Sequence, residues 1–172
     1  MRLTKGNSRA TVLAFMIAAA ILSFFISDLP CTALFAGIAV SSILEIEGCE
    51  KGSSKLGKAL MIGITYASVV GGQAIPSGSA MNIMAMNVLE ANTGIAISFL
   101  DWTLICMPIA IILLFVCWFS ITLVFKPEPI SEKTIACIDK KGMEVGRFEA
   151  IDWKVLGIMA IVFTLWIASN WT

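Results

Sequence analysis

The sequence predicts an all-α integral membrane protein with a single membrane domain over residues 1–172. Three observations support this class. Apolar residues make up 58% of the chain and charged residues only 14%, whereas soluble domains are about 45–50% apolar. The mean hydropathy is +0.90. The apolar residues fall into long blocks, and two of these blocks contain a polar break that an unbroken helix would not tolerate in lipid.

The first block, residues 11–44, is predicted to be a re-entrant helical hairpin. It is about 34 residues long, too long for one span of about 20 residues and too short for two spans and a turn. Asp28 is its one carboxylate, flanked by Ser27 and followed closely by Pro30. A charge at membrane depth is costly and marks a polar cavity. We therefore expect two short helical arms that meet at residues 28–30.

The second block, residues 59–91, has a glycine- and proline-rich centre and is predicted to be a broken transmembrane helix. Gly71, Gly72, Pro76 and Gly78 lie within this centre, and glycine lets backbones approach closely. Residues 98–125 are predicted to be one uninterrupted transmembrane helix, with Trp102 in the aromatic belt at its start. Residues 126–150 are polar and form a predicted cytoplasmic loop, and a last transmembrane helix covers 151–172.

The positions of the basic residues decide between alternative topologies. If the first block is a hairpin and the second crosses once, all 12 Lys and Arg residues share one face, which the positive-inside rule assigns to the cytoplasm. The opposite loop, residues 90–101, then carries only acids. Exchanging the two assignments, or making both blocks hairpins, separates the basic residues. We therefore predict a multi-pass protein of the cell membrane.

Several function classes do not fit this composition. The chain has no histidine, so it lacks the commonest metal ligand and general base. It contains no phosphate-binding or dinucleotide-binding glycine motif. The net charge of +0 gives no reason to expect a nucleic-acid partner. We expect that the protein is not an enzyme and binds no cofactor. We also expect it to be surrounded by membrane lipid.

Two consecutive breaks predict a cation and substrate site near the middle of the membrane. Secondary transporters build such sites from broken helices, whose N-termini face anions and whose freed carbonyls bind a coupling ion. Hydroxyl, amide and carboxylate oxygens are suitable ligands for a hard cation such as sodium. The oxygen donors near the breaks are Ser23, Ser27, Asp28, Thr32, Gln73, Ser77, Ser79 and Asn82. The alternative is that Ser27 and Asp28 merely cap the second arm and that the glycines form a kink.

With these residues in view, the chain resembles the divalent anion:sodium symporter family, which carries dicarboxylates, citrate and sulfate. Three stretches carry the resemblance: residues 23–27 with Thr32 and Ala33, the glycine break, and residues 94–102 with Met107 and Pro108. The glycine break is similar to the family motif at Gly71, Gly72, Pro76, Gly78, Ser79 and Asn82. Asp28 stands where the family has an asparagine, and Leu29 stands where it has a threonine.

The resemblance implies a partial secondary active transporter that imports small anions with sodium. It implies substrate binding by Ser27, Asp28, Gly78 and Ser79, and sodium binding by Ser27, Asp28, Gly78 and Asn82. It further implies that the chain is part of one of two inverted repeats, that the remainder of the carrier is missing, and that the complete carrier is a homodimer. Asp28 leaves protons open as the coupling ion. Two alternatives are a proton or sodium antiporter, and a non-transporting membrane subunit or remnant.

Overall fold

The described part of the chain is helical throughout, with short connections and no strand, which confirms the predicted all-α class. The computed structural model describes residues 7–44, 54–130, 153–155, 157–158, 161–162 and 164–165. Most of the predicted loop 126–150 and much of the predicted helix 151–172 lie outside the described residues. Five α-helices, α1 to α5, make up the described core.

Helices α1 (Ser8–Ser23) and α2 (Asp28–Ala39) are antiparallel and joined by the short turn 24–27. The predicted meeting point at residues 28–30 was wrong: these residues form the first turn of α2, where a proline is tolerated because the N–H groups there have no helical acceptor. The thiol of Cys31 donates to the Ala19 carbonyl at 3.2 Å, and the rings of Phe15 and Phe35 meet edge to face with centroids 6.4 Å apart. Helix α2 continues as a π-helical turn, Val40–Leu44. At a rise of about 1.5 Å per residue, α1 is about 24 Å long and α2 about 18 Å. Each is shorter than the hydrocarbon core of a bilayer, about 30 Å.

Helix α3 (Lys55–Ala74) lies at the centre of the bundle and packs against α1, α2 and α5. Its buried face includes small residues where it meets α1. A Cβ atom on Gly71 would lie only 2.4 Å from the Ala20 carbonyl oxygen, whereas Gly63 faces the flexible side chain of Met16. The absence of a side chain at Gly71 therefore lets the ends of α1 and α3 touch through their backbones.

The chain after α3 changes direction in a short irregular stretch. Ile75 is extended, Pro76–Gly78 forms one 3-10 turn, and helix α4 (Ala80–Thr93) follows. The ring of proline fixes its φ and removes a donor, so helix α3 cannot continue through this point. Asn82 is the buried residue of α4, and its other large side chains such as Met81 and Met84 are mostly exposed.

Helix α5 (Phe99–Phe125) is the one helix among the described residues that is long and apolar enough to cross a membrane. Ser98 and Asp101 begin it with a reciprocal capping box, in which each side chain binds the backbone N–H of the other. The indole N–H of Trp118 donates to the Arg9 carbonyl at 2.9 Å, and the Ser8 hydroxyl donates to the Glu128 carbonyl. These contacts place the start of α1 beside the end of α5.

Candidate functional site

The hairpin turn and the glycine break lie at the same level along helix α5. Phe24 in the turn and Ala74 at the end of α3 both line an apolar cavity of about 370 Å³, together with Met107 of α5. Helices α1 and α3 run parallel, since Val12 and Met16 lie near Gly63 and Ala20 lies near Gly71. Both helices therefore end at this level, and the polar residues that follow them are neighbours.

Two hydrogen bonds of serine side chains connect the hairpin to the second block. The Ser77 hydroxyl donates to the Phe24 carbonyl at 3.4 Å, which joins the break to the turn. The buried Ser23 hydroxyl donates to the Ser68 carbonyl at 2.7 Å. A Cβ atom on Gly72 would lie 3.2 Å from the same Ser23 oxygen, so this glycine leaves room for the serine hydroxyl.

At the hairpin tip, Ser27 and Asp28 interact with each other. Ser27 occupies the N-cap position of α2, but its side chain makes no hydrogen bond to a helix amide. Its hydroxyl instead donates to a carboxylate oxygen of Asp28 at 3.1 Å. Asp28 lies in the first turn of α2, where the helix dipole stabilises a negative charge. The tip thus presents a hydroxyl and a carboxylate, with Ser27 exposed and Asp28 half-buried.

The glycine break is more compact than the tip. A Cβ atom on Gly78 would lie 2.5 Å from the Gly72 carbonyl oxygen, so the two glycine backbones are in direct contact. The Gly78 amide donates to the Ile75 carbonyl at 3.1 Å. Gly72, Pro76 and Gly78 are buried, and Ser79 is half-buried. This stretch is therefore an ordered turn whose shape depends on the two glycines.

Asn82 and Trp102 bind the carbonyls that the end of α3 leaves without helical partners. The amide nitrogen of Asn82 donates to the Gly72 carbonyl at 2.7 Å and to the Ile75 carbonyl at 2.9 Å. The indole N–H of Trp102 donates to the Gln73 carbonyl at 3.1 Å. The last carbonyls of a helix need such donors, and here they come from α4 and α5.

The structure brings the predicted site residues together as two groups. Ser27 and Asp28 form the tip group, and Gly78, Ser79 and Asn82 belong to the break. Within the described part of the chain, no hydrogen bond joins a residue of one group to a residue of the other; the direct link is the bond between Ser77 and Phe24. A ligand that binds both groups would bridge them through oxygen atoms, as a hard cation does.

Three residues near the breaks were missed by the sequence analysis or given another role. Trp102 was expected in the aromatic belt, and its contact with Gln73 is additional. Ser68 and Cys31 are fully buried beside Ser23, and the Ser68 hydroxyl donates to the Cys31 sulfur at 3.6 Å. Buried hydroxyl and thiol groups in an apolar helix seek such partners. In the sequence, Ser68 is a polar residue in the middle of the apolar helix α3, and this could have indicated such a contact.

The oxygen atoms available as ligands at the two breaks suit an alkali cation better than a transition metal. They are hydroxyl and carbonyl oxygens with the single carboxylate of Asp28. In the part of the chain that the structure describes, no group of three or more His, Cys, Asp or Glu side chains is placed to hold a metal ion. Oxygen ligands of this kind bind hard cations.

Comparison with known proteins gives a consistent result. Residues 3–172 match the family described as "Sodium:sulfate symporter transmembrane region". The chain is 30% identical to the sodium-dependent dicarboxylate transporter SdcS of Staphylococcus saprophyticus, with 98% of this chain and 35% of the relative covered. It is 22% identical to the sodium-dependent high-affinity dicarboxylate transporter 3 of Caenorhabditis elegans, with 99% and 33% covered.

A third relative is the citrate/succinate antiporter of Escherichia coli, to which the chain is 25% identical over 67% of its own length and 24% of the relative. The chain thus spans about a third or less of the length of these curated relatives. The family and the relatives are transporters and not enzymes. The match over nearly the whole chain agrees with the motifs at the two breaks, and the chain belongs to the sodium:sulfate symporter family of membrane transport proteins, the divalent anion:sodium symporters.

Proposed function

We propose that this chain forms the cation- and substrate-binding region of a sodium-coupled importer of small anions such as a dicarboxylate, citrate or sulfate. The observation that carries the proposal is the meeting of two interrupted helical segments at one level, where the Ser77 hydroxyl donates to the Phe24 carbonyl. Relatives described as sodium-dependent dicarboxylate transporters support the substrate class and the coupling ion.

The depth of this meeting point supports a site inside the membrane. Starting from the end of α5 that lies beside Ser8, helix α1 rises about 24 Å to its end at Ser23. Helix α5 is about 40 Å long by the same measure. Its N-terminal end therefore extends well beyond the tip and the break. A hairpin that ends partway along a spanning helix has the geometry of a re-entrant segment, and α3 and α4 then form the broken spanner.

The proposed ligands come from both breaks. Ser27 and Asp28 contribute a hydroxyl and a carboxylate to a sodium ion, and Gly78 contributes backbone. The N-terminal ends of α2 and α4 lie next to these residues, and their amides and dipoles favour an anionic substrate at Ser27, Asp28, Gly78 and Ser79. The bound sodium offsets the repulsion between the Asp28 carboxylate and the anion.

The proposed topology has a cytoplasmic start to α1 and an external connection between α4 and α5, in a multi-pass protein of the cell membrane. Arg9 and Lys126 then share the cytoplasmic face, in agreement with the contacts of Ser8 and Trp118. Single cysteines replacing Lys55 and Asn92 test this arrangement with a membrane-impermeant thiol reagent, each in a background without exposed cysteines. We expect position 55 to react from the cytoplasm and position 92 from outside; reaction of both from one side would contradict the topology.

A second candidate function is transport coupled to protons in place of sodium, favoured by the carboxylate at the tip; the relative described as a citrate/succinate antiporter favours an antiport mode. Uptake of labelled succinate, citrate and sulfate into proteoliposomes, with and without a sodium gradient, separates the two functions. In a carrier that contains this sequence, Asp28→Asn should change the apparent sodium affinity under the sodium hypothesis. Under the proton hypothesis it should abolish the pH dependence of uptake.

A complete transport cycle is proposed to need more than this chain. The chain spans about a third of the relatives it matches, and we propose that alternating access requires a second, inverted repeat and a homodimer. Uptake by the 172-residue chain reconstituted alone would contradict the need for a second repeat. Absence of uptake even with a second repeat supplied would favour a non-transporting membrane subunit.

A further inference from the structure

The end of helix α3 is held by two side chains that come from later helices. Near the close of a helix about four carbonyls lack an intrahelical donor. Gly72 receives a donor from the Asn82 amide, and Gln73 receives one from the Trp102 indole. Asn82 also donates to Ile75, whose carbonyl accepts a second bond from the Gly78 amide. The break between α3 and α4 is therefore stabilised by side-chain contacts as well as by its own backbone.

The geometry at Asn82 specifies which end of its amide faces the break. The side chain is 1% exposed, and two carbonyl oxygens lie 2.7 and 2.9 Å from its nitrogen. An amide nitrogen carries two protons, whereas an amide oxygen can only accept. Because two acceptors lie on this side, the nitrogen must face them, and both of its protons are used. The nitrogen of the buried amide is thus committed to the carbonyls of Gly72 and Ile75.

Trp102 performs the corresponding role from α5. Its indole carries one donor, and that donor binds the Gln73 carbonyl. Trp118 offers a matched comparison within the same helix, because its indole also donates to a backbone carbonyl, that of Arg9 at 2.9 Å. Both rings are half-buried. The two tryptophans differ in location: Trp102 is at the break and Trp118 at the opposite end of α5.

We infer that Asn82 and Trp102 are positioning residues, which orient the terminal carbonyls of α3 and so determine the shape of the cation site at the break. The part of this inference that concerns sodium rests on the proposed function. It also revises the expected role of Asn82: this residue acts on sodium through the backbone at residues 72–78, and its side chain is not the ligand.

Replacing Asn82 by aspartate and by alanine distinguishes a positioning residue from a ligand. Aspartate keeps an oxygen that can bind sodium but has no N–H donor, and it places a carboxylate against two carbonyls. Alanine lacks both groups. If Asn82 positions the carbonyls, the two variants should be impaired alike. If it is a sodium ligand, Asn82→Asp should retain the sodium response that Asn82→Ala loses.

Hydrogen–deuterium exchange of the reconstituted chain in lipid nanodiscs measures the effect directly, with sodium or choline as the cation. We expect both Asn82 variants to exchange about tenfold faster over residues 70–82, because they leave the Gly72 carbonyl without its side-chain donor and remove one of the two donors of Ile75. Trp102→Phe removes one donor and should accelerate the same amides about fivefold. Trp118→Phe should accelerate amides near Arg9 and leave residues 70–82 at the wild-type rate.

In wild type, sodium should slow exchange over residues 70–82 relative to choline, and both Asn82 variants should need about tenfold more sodium for half of this protection, given the lost hydrogen bonds. Wild-type exchange rates in the Asn82 variants would overturn the inference, as would a sodium response kept by Asn82→Asp and lost by Asn82→Ala. If sodium has no effect on wild type, the proposed sodium site fails, and the exchange rates in choline still decide whether Asn82 and Trp102 hold the break.

Discussion

The hairpin tip and the glycine break differ sharply in how completely their polar groups are engaged. At the tip, Ser27 is exposed and its hydroxyl bonds to the neighbouring Asp28 carboxylate. At the break, Gly72, Gly78 and Asn82 are buried and joined through backbone contact and hydrogen bonds. A site formed by the tip and the break together would thus combine an ordered, buried region with an exposed one. Stability should depend on the break, and ligand binding should depend relatively more on the tip.

Substitution of the glycine at the end of α3 is the most severe test of this comparison. In Gly71→Ala the new Cβ atom would lie 2.4 Å from the Ala20 carbonyl oxygen, a backbone atom that cannot rotate away. We expect a loss of about 2–3 kcal/mol in the free energy of unfolding, measured by denaturation in mixed detergent micelles.

Gly37→Ala is the matched control for Gly71→Ala, since it makes the same change in α2, where a Cβ atom meets nothing within 4 Å. It should be neutral or stabilise the protein by up to about 1 kcal/mol, because alanine favours a helix. Equal effects at the two positions would show that α1 and α3 are not in backbone contact.

An intermediate effect is expected where the hairpin is bonded to α3. The Ser23 hydroxyl is fully buried and donates to the Ser68 carbonyl at 2.7 Å. Ser23→Ala should lower the free energy of unfolding by about 1 kcal/mol, the typical net contribution of such a bond.

Thr65→Ala is the control for Ser23→Ala, since the Thr65 hydroxyl is exposed and bonds within its own helix to the Met61 carbonyl. Its effect should stay within about 0.5 kcal/mol, as is usual for surface substitutions. A larger loss for Thr65→Ala than for Ser23→Ala would contradict a structural role for the contact between α1 and α3.

The smallest effect on stability is expected at the tip itself. Ser27 makes no capping bond, and its bond to Asp28 is exposed. Ser27→Ala should therefore change the free energy of unfolding by less than about 0.5 kcal/mol. In a complete carrier the same variant should weaken the sodium dependence of uptake while expression stays at the wild-type level. A parallel loss of expression and sodium dependence would instead assign Ser27 to folding.

Local sequence features were sufficient to predict the helical class and the presence of a break in each of the two blocks, whereas the first break lies at residues 24–27 and not at 28–30. Pro76 ends helix α3 because its ring removes a backbone donor, and α5 has no charged residue after Asp101. The partners of Asn82 and Trp102 were beyond such reasoning. Trp102 contacts a residue 29 positions earlier in the chain, and the Ser23 hydroxyl reaches one 45 positions later. These pairs depend on how three helices pack, which no local pattern specifies.

The unequal lengths of α1 and α5 have a consequence for the surrounding lipid. Helix α5 exceeds the hydrocarbon thickness of about 30 Å by about 10 Å, whereas α1 falls short of it by about 6 Å. The excess length of α5 produces positive hydrophobic mismatch, which a helix relieves by tilting or by extending its ends into the headgroups. The short length of α1 would leave Ser27 and Asp28 in hydrocarbon unless the bilayer thins locally or water enters from the membrane face opposite the start of α1. In the proposed topology, a hydrated vestibule above the tip would keep the Asp28 carboxylate in water, since a charge in hydrocarbon is costly.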